Sequence, residues 1–448
     1  MPNDLPTLLA AAADIRSGRL RPVDLVERCL AQIDAHETRI RAWVMVDAEG
    51  ARDAARRAGD EIARGEYRGR LHGIPIGIKD IVDVAGWPTL AGSSLHAGHR
   101  AQRDATVVAR LRNAGAVLLG KTVTTEFASF DPPVTRNPWN VARTPGGSSS
   151  GSAAAVALGM CLGAIGSQTG GSITRPASYC GVAGCKPTFG RVSSQGVVPL
   201  SRHMDHVGPI ARSVGDLAAI LEVIAGYDPL DATTVDVPVD HYVDRCRDAA
   251  APRLGLVDDA YFSDGLPRSV AAALAESTRR FEQSGAMTGM VKLPGSFAQV
   301  TALHRRMMGV EAAEYHQPMF EKHRDRYGPN IASLIEEGPR VTAIAYAAAL
   351  VHRRQLQRDL LTSFADYDAL VTPATTSTAP GIETTGDPKF NSPWSYVGYP
   401  TVSFPCGLAD DGLPLAVQIV GRPFEEARLL SAAAWCERTL NFEQRPAV

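Results

Sequence analysis

Serine residues that stand beside paired glycines are the side chains of this sequence best suited to chemistry. One glycine pair opens the segment 146–152 (GGSSSGS), and a second lies in the segment 167–172 (SQTGGS). Glycine lets two stretches of backbone approach closely, and successive amides in such turns can converge on one anion. A serine hydroxyl beside them could attack a carbonyl carbon once a base removes its proton. These segments are our first candidates for a reaction centre.

Two other interpretations of the first segment are open to test. Residues 147–151 match GxSxG, which in an α/β-hydrolase makes Ser149 the nucleophile. The residues before it (NPWNVARTPGG) are turn-like, and the last histidine, His352, comes too early for that fold. A flexible Gly/Ser linker would explain the composition. The run leads directly into the apolar segment 153–166, however, and a linker does not normally enter a core.

Motifs for metal, phosphate and redox chemistry are absent from the sequence. It has no HExxH motif, no calcium loop and no GxxxxGK[ST] loop. The cysteines form no CxxC pair, which favours buried, reduced thiols over a zinc or redox site. They stand at positions 29, 161, 180, 185, 246, 406 and 436. We therefore expect no cofactor and no metal.

The charge balance excludes two classes of partner. The formal net charge is -2 and no basic run occurs, so the chain lacks the electrostatic footprint of a protein that binds nucleic acid or an anionic membrane. The N-terminus has no basic start followed by an apolar region, so we predict no signal peptide. The most apolar stretch, 153–166, is shorter than the roughly 18 residues that span a membrane. We expect a cytoplasmic monomer or homodimer.

Helix and strand patterns alternate on the N-terminal side of both serine segments. Residues 22–33 have helical spacing after a short polar break at 14–18. The β-branched run 71–83 predicts a strand that ends near Lys79. Such alternation indicates an α/β protein.

The next elements lead up to and through the glycine-rich region. Asp104 is expected to cap a helix that Gly115 closes, followed by an apolar strand at 116–122. The segment 153–166, which the two glycine pairs bracket, is expected to be a buried helix.

Strand patterns return in the second half of the chain. Residues 228–240 read as a surface connection, 253–294 as a strand-helix-strand unit and 297–365 as helical. Three late strand patterns lie at 368–374, 399–407 and 415–421, before a final helix from Glu425. Because strands come from both ends of the chain, we predict one sheet with the middle segment as an elaboration.

Long motifs give the sequence a resemblance to a known family. TPGGSSSGSAAAVALG and QTGGSITRPASYCGVAGCKPTFGRV resemble the amidase signature, and GIPIGIKDIVDVAGWPTLAGS is similar to the lysine motif of that family. The resemblance implies an α/β fold with a mixed central β-sheet flanked by helices on both faces. It implies a single domain, 1–448. We divide the domain into a helical layer at 1–65, a core at 66–226, a variable segment at 227–365 that shapes the substrate pocket, and a closing unit at 366–448.

The resemblance implies a Ser-cisSer-Lys triad. Ser172 corresponds to the nucleophile, Ser148 to a bridging serine preceded by a cis peptide bond, and Lys79 to the base. The backbone amides of Thr169, Gly170, Gly171 and Ser172 correspond to the oxyanion hole.

A lysine can serve as the base only if its pKa falls from about 10.4 toward 7. Burial of the ammonium group among apolar neighbours can supply that shift. Lys79 follows the apolar run 74–78, although Asp80 and Asp83 could instead stabilise its charge.

The sequence departs from the common family pattern in the residues around the nucleophile. Many members have Asp at the position of Gln168 and Arg at that of Thr174, whereas the arginine here is Arg175. Members that resemble malonamidase share this arrangement, so Arg175 either contacts a substrate carboxylate or forms a structural ion pair. Three aromatic side chains line the pocket or pack in the core: Trp139, Tyr179 and Trp394.

The function that the resemblance implies is a serine hydrolase of C–N bonds other than peptide bonds. Amides and anilides are the expected substrates, with carbamates (urethanes), ureas and esters within reach of the same chemistry. One alternative is the glutaminase component of a tRNA-dependent amidotransferase, against which Gln168 counts. The other is a catalytically silent scaffold, which would be expected to lose Lys79 or a triad serine.

Overall fold

The structure is a computed structural model that describes residues 5–447. Residues 1–4 and 448, which belong to the predicted segments 1–65 and 366–448, lie outside it. The strands are β1 (Trp43–Val46), β2 (Pro75–Lys79), β3 (Val117–Thr122), β4 (Gly163–Gln168), β5 (Ala183–Lys186), β6 (His206–Ala211), β7 (Arg253–Val257), β8 (Met287–Val291), β9 (Ala369–Pro373), β10 (Thr401–Leu408) and β11 (Pro414–Val420).

Fifteen α-helices connect and surround these strands in the described part of the chain. They are α1 (Leu8–Arg16), α2 (Pro22–Ile40), α3 (Ala48–Ala63), α4 (Thr106–Asn113), α5 (Ser150–Ala157), α6 (Thr174–Tyr179), α7 (Val214–Ile224), α8 (Tyr242–Arg247), α9 (Ala260–Ser263), α10 (Arg268–Gln283), α11 (Val300–His323), α12 (Pro329–Glu337), α13 (Ala343–Thr362), α14 (Ser392–Tyr396) and α15 (Glu426–Leu440).

All eleven strands belong to one mixed sheet. Their order is β1-β3-β2-β4-β6-β5-β10-β11-β9-β7-β8. Strands β3, β2 and β4 are parallel neighbours, and the pairs from β4 through β9 are antiparallel. The central strands are buried along their whole length, as expected for apolar runs covered by helices. This confirms the α/β fold with a mixed central sheet.

Strands from the two ends of the chain meet in the middle of the sheet. Lys186 of β5 lies opposite Thr401 of β10, so the early and late strand patterns form one layer as predicted. The middle segment does more than elaborate this layer. Its strand-helix-strand unit is confirmed, but β7 pairs in parallel with β9 and β8 with β7, which extends the same sheet to its edge.

The N-terminal helices differ from the prediction at one boundary. The helix expected at 22–33 is confirmed as part of α2, whereas the polar break at 14–18 is wrong. Helix α1 continues to Arg16, since Leu8, Ala11, Ala12 and Ile15 form one buried face. The packing of that face keeps Asp14 and Arg16 helical.

The predicted cap of α4 is also wrong. The helix begins after Ala105 without a side-chain cap. The Asp104 carboxylate instead accepts the Ala85 N–H at 2.7 Å and pairs with Arg112 at 3.0 Å. Gly115 does follow the last turn, with φ +78°, as predicted.

The apolar segment 153–166 is not one helix. Helix α5 ends at Ala157, and the chain turns into β4 at Gly163. Since β4 pairs with β2 in parallel through Ile165 opposite Ile78, residues 166–167 come to lie beside Lys79. The turn thus places the second serine segment next to the end of β2.

Several smaller expectations are confirmed. Residues 228–240 contain no helix or strand, and 297–365 are largely helical. The cysteines are free thiols, six of them buried. None of the helices within residues 5–447 has the length and apolar character that crossing a bilayer requires.

Candidate active site

Lys79 ends β2 inside the protein and meets two serine hydroxyls. Its side chain is fully buried. Its Nζ atom donates to Ser148 Oγ at 2.7 Å and to Ser167 Oγ at 2.8 Å. The peptide bond before Ser148 is cis, at the position where the resemblance places it. Ser167 was not predicted, although it belongs to the second glycine segment.

The two aspartates that could have neutralised Lys79 are engaged elsewhere. Asp80 pairs with Lys121 at 2.9 Å, and Asp83 lies 3.3 Å from the His99 ring. Among residues 5–447, no carboxylate forms an ion pair with Lys79. Burial therefore lowers the pKa of Lys79 well below its ordinary value, since the charged form loses its hydration.

Asp205 supplies the one negative charge that acts against this shift. Its charge raises the pKa of Lys79 through space. Asp205 keeps a small exposed fraction, yet desolvation raises its own pKa to about 6. The Thr169 hydroxyl donates to one carboxylate oxygen, and the N–H groups of Leu200 and Ser201 donate to the other at 2.8 and 3.0 Å. No motif of the sequence predicted Asp205 as a site residue.

Ser172 lies at the N-terminal side of α6 and is 7% exposed. The Ser149 N–H donates to the Ser172 carbonyl at 3.2 Å, which joins the two glycine segments. Within the described chain, the Ser172 hydroxyl makes no hydrogen bond, and none links it to the Ser148 hydroxyl. The structure thus brings Lys79 to Ser148 directly and brings Ser172 to their segment through the backbone.

The turn before Ser172 leaves several backbone donors unused. The N–H groups of Thr169, Gly170, Gly171 and Ser172 make no hydrogen bond to another described residue. Buried amides normally have partners, so four unpaired ones in succession are unusual. Such a set can stabilise an anion that forms beside the Ser172 hydroxyl.

Arg175 forms neither of the contacts considered for it. Its guanidinium is buried and donates to the carbonyls of Gly147 and Gly386 at 2.8 and 2.6 Å, and to Thr385 Oγ1 at 3.2 Å. No ion pair of Arg175 occurs among the described residues, so a structural ion pair is wrong. Burial lowers the pKa of Arg175 to about 10. The residue acts on the carbonyl that precedes Ser148.

The three aromatic candidates lie in two different clusters. Trp139 donates to the Cys180 carbonyl at 2.9 Å and packs against Tyr179 in a small cluster apart from the main core. Trp394 is fully buried in α14, where its ring neighbours are Phe262 and Phe297. These contacts are those of core residues, and a role in lining the pocket stays a prediction.

Two further residues reach the turn from distant parts of the chain. His304 Nε2 lies 2.9 Å from the Thr169 carbonyl, and Ser395 Oγ donates to the Gly170 carbonyl at 2.8 Å. The first contact spans 135 residues and the second 225. No local pattern marks either residue, so sequence reasoning missed both.

Known proteins resemble this chain over nearly its whole length. The family model described as Amidase matches residues 24–430. A glutamyl-tRNA(Gln) amidotransferase protein of Anaeromyxobacter, one of the subunits of that enzyme, is 38% identical, and the alignment covers 97% of this chain and 96% of that protein.

Solved structures are similar as well. One comes from a report on an unexpected vestigial protein complex and the origins of an s-triazine catabolic enzyme. It has a TM-score of 0.92 at 31% identity and covers 99% of this chain and 100% of that one. The native peptide amidase of Stenotrophomonas maltophilia has a TM-score of 0.86 at 31% identity, with 99% of each chain covered.

Proposed function

This chain belongs to the amidase signature family and is a hydrolase of C–N bonds, and from that premise we propose that Ser172, Ser148 and Lys79 perform the reaction. The observation that carries the proposal is the contact between Lys79 Nζ and Ser148 Oγ at 2.7 Å, inside a pocket where Lys79 has no ion-pair partner. A lysine that burial keeps neutral can accept a proton, whereas a salt-bridged one cannot.

The proposed cycle has two halves. Ser172 Oγ attacks the carbonyl carbon of the substrate while its proton passes to Ser148 Oγ, whose own proton passes to Lys79 Nζ. The amides of residues 169–172 donate to the oxyanion, and a single donor of this kind is typically worth about 3 kcal/mol. The proton returns through Ser148 to the leaving nitrogen as the C–N bond breaks. Water then hydrolyses the ester on Ser172 by the same proton path in reverse.

We propose small-molecule amides and anilides as substrates, with carbamates (urethanes), ureas and esters open to the same acyl-enzyme route. Contact between Arg175 and a substrate carboxylate would require the guanidinium to exchange bonds that it makes to Gly147, Thr385 and Gly386. We therefore favour uncharged acyl groups over dicarboxylic monoamides. The near-neutral composition supports a cytoplasmic monomer or homodimer that acts without nucleic acid.

A glutaminase activity is the second candidate, because a relative 38% identical is named as part of an amidotransferase. The two candidates differ in a simple assay. Ammonia release from free glutamine by the purified chain, at a rate exceeding that on anilides, carbamates and esters, would favour the glutaminase.

Covalent labelling tests the nucleophile. A fluorophosphonate should add one adduct to the wild-type chain and none to Ser172→Ala, as measured by intact mass. Ser149→Ala should still be labelled, since Ser149 is the nucleophile only in the α/β-hydrolase interpretation. Labelling that survives Ser172→Ala would overturn the assignment.

A further inference from the structure

The turn at 168–172 has two different sides. Its N–H groups from Thr169 to Ser172 are unpaired in the described chain, whereas each of its first four carbonyls accepts a hydrogen bond. The donors are His206 Nδ1 to Gln168 O at 3.1 Å, His304 Nε2 to Thr169 O at 2.9 Å, Ser395 Oγ to Gly170 O at 2.8 Å and the Arg175 N–H to Gly171 O at 2.9 Å.

Holding a carbonyl also orients the next amide. A trans peptide unit is planar, and its C=O and N–H point in opposite directions. A donor on the Thr169 carbonyl therefore fixes the Gly170 N–H, and a donor on the Gly170 carbonyl fixes the Gly171 N–H. These two peptides need such restraint most, because glycine has the widest range of backbone conformations.

We propose that His304 and Ser395 are positioning residues that aim the Gly170 and Gly171 amides at the oxyanion. The inference rests on the proposed function of residues 169–172 as the oxyanion hole. Neither side chain reaches the reacting atoms through a hydrogen bond. Each acts through the peptide that it holds.

His304 brings the variable segment into the catalytic turn. It lies on α11, is 4% exposed, and burial lowers its pKa, so the ring is neutral. Because its partner is a carbonyl, Nε2 carries the hydrogen. A helix from the segment 227–365 thus supports the glycine turn directly.

Ser395 is itself oriented by Gln168. Gln168 Nε2 donates to Ser395 Oγ at 3.2 Å, which leaves the hydroxyl proton for the Gly170 carbonyl. Gln168 Oε1 accepts the N–H groups of Ile173 and Thr174 at 2.8 and 3.0 Å. An ionised aspartate could accept bonds here but could not donate to Ser395. The glutamine therefore has a specific role in holding the turn.

The test compares variants that remove each donor. Ser395→Ala and His304→Phe should lower kcat by about 10- to 100-fold with little change in KM, since a small misplacement of oxyanion donors acts on the transition state. Affinity for a boronic acid or trifluoromethyl ketone analogue should fall in parallel. His304→Gln, whose amide can donate to the same carbonyl, should recover most of the loss.

Ser403→Ala is the matched control. Ser403 is also buried, and its hydroxyl donates at 3.0 Å to the carbonyl of Thr174, outside the turn. Its kcat should stay within about twofold of wild type, as expected where no oxyanion donor is displaced. Rates are expressed per active site counted with a fluorophosphonate, so that loss of folded protein is not mistaken for loss of chemistry.

Gln168→Glu gives a second, nearly isosteric route to the same result. An ionised glutamate would accept the Ser395 proton and withdraw it from Gly170, so kcat should fall as in Ser395→Ala. Unchanged kcat and unchanged analogue affinity in these variants would overturn the inference. If Ser172→Ala itself keeps its activity, the proposed function fails instead, and the two outcomes are distinct.

Discussion

Asp80 pairs with Lys121 and not with Lys79, the residue beside it in the sequence. The Asp80 and Lys121 side chains are both fully buried, with Oδ1 and Nζ 2.9 Å apart. Lys79 lies opposite Thr122 where β2 and β3 run in parallel, so two buried lysines stand at the ends of neighbouring strands with one adjacent carboxylate. Because Lys121 takes that carboxylate, Lys79 is left with hydroxyl partners only.

Lys79→Met should abolish turnover while keeping the fold. The methionine preserves the apolar volume of the lysine stem but cannot accept a proton, and removal of a general base typically costs 10²–10⁴-fold in rate. We expect kcat/KM to fall by about 10³-fold with an unchanged melting temperature, measured on the best substrate of the panel. A near-wild-type rate would refute the assignment of the base.

Lys121→Met provides the contrast to that variant. It leaves Asp80 as a buried charge without a partner, which typically costs about 3–5 kcal/mol of folding free energy. The expected effect is a lower free energy of unfolding in urea, with kcat per active site retained in the folded fraction.

Asp205→Asn should move the acidic limb of the pH profile to lower pH. The activity of an enzyme whose base is Lys79 rises with pH as that lysine loses its proton. The Asp205 charge raises the pKa of Lys79, so its removal should shift the limb of kcat/KM downward by up to about one pH unit.

Asp83→Asn is the control for the pH profile, since Asp83 faces His99 and not Lys79. Its acidic limb should coincide with that of the wild type. A limb that stays in place in Asp205→Asn would mean that the Asp205 charge does not act on the base.

Glu437→Gln should flatten the dependence of stability on pH. Glu437 is buried in α15 and accepts the Val214 N–H at 3.0 Å, and burial raises its pKa from 4.5 to about 8. Between these values the folded state binds more protons than the unfolded state. The free energy of unfolding therefore decreases as pH rises from about 4.5 to 8, through this residue alone.

Urea unfolding at pH 5, 6.5, 8 and 9 measures the effect. Glu437→Gln cannot ionise, so the variant should gain stability over the wild type as pH rises. Glu443→Gln, at an exposed position near the C-terminus, should keep the wild-type slope. Parallel curves for wild type and Glu437→Gln would contradict the prediction.

Local sequence patterns predicted much of the sheet and the segments that form the candidate site. β2 ends at Lys79, and β3 and the late strands lie where apolar runs predict them, because a buried strand is recorded in consecutive residues. The patterns failed where a local signal has two solutions. The apolar segment 153–166 is part helix and part strand, and periodicity alone does not separate these. Asp104 was a plausible cap that a tertiary contact with Ala85 engaged instead.

The amino-acid sequence by itself determined which residues are available for chemistry: two serines beside glycine pairs and a lysine after an apolar run. Only the tertiary structure decided their states. Which lysine receives Asp80 depends on the pairing of β2 with β3, and the missing counter-ion is what lowers the pKa of Lys79. The direction of the Gly170 and Gly171 amides depends on His304 and Ser395. Their hydrogen bonds join residues 135 and 225 positions apart, so only the folded chain brings them together.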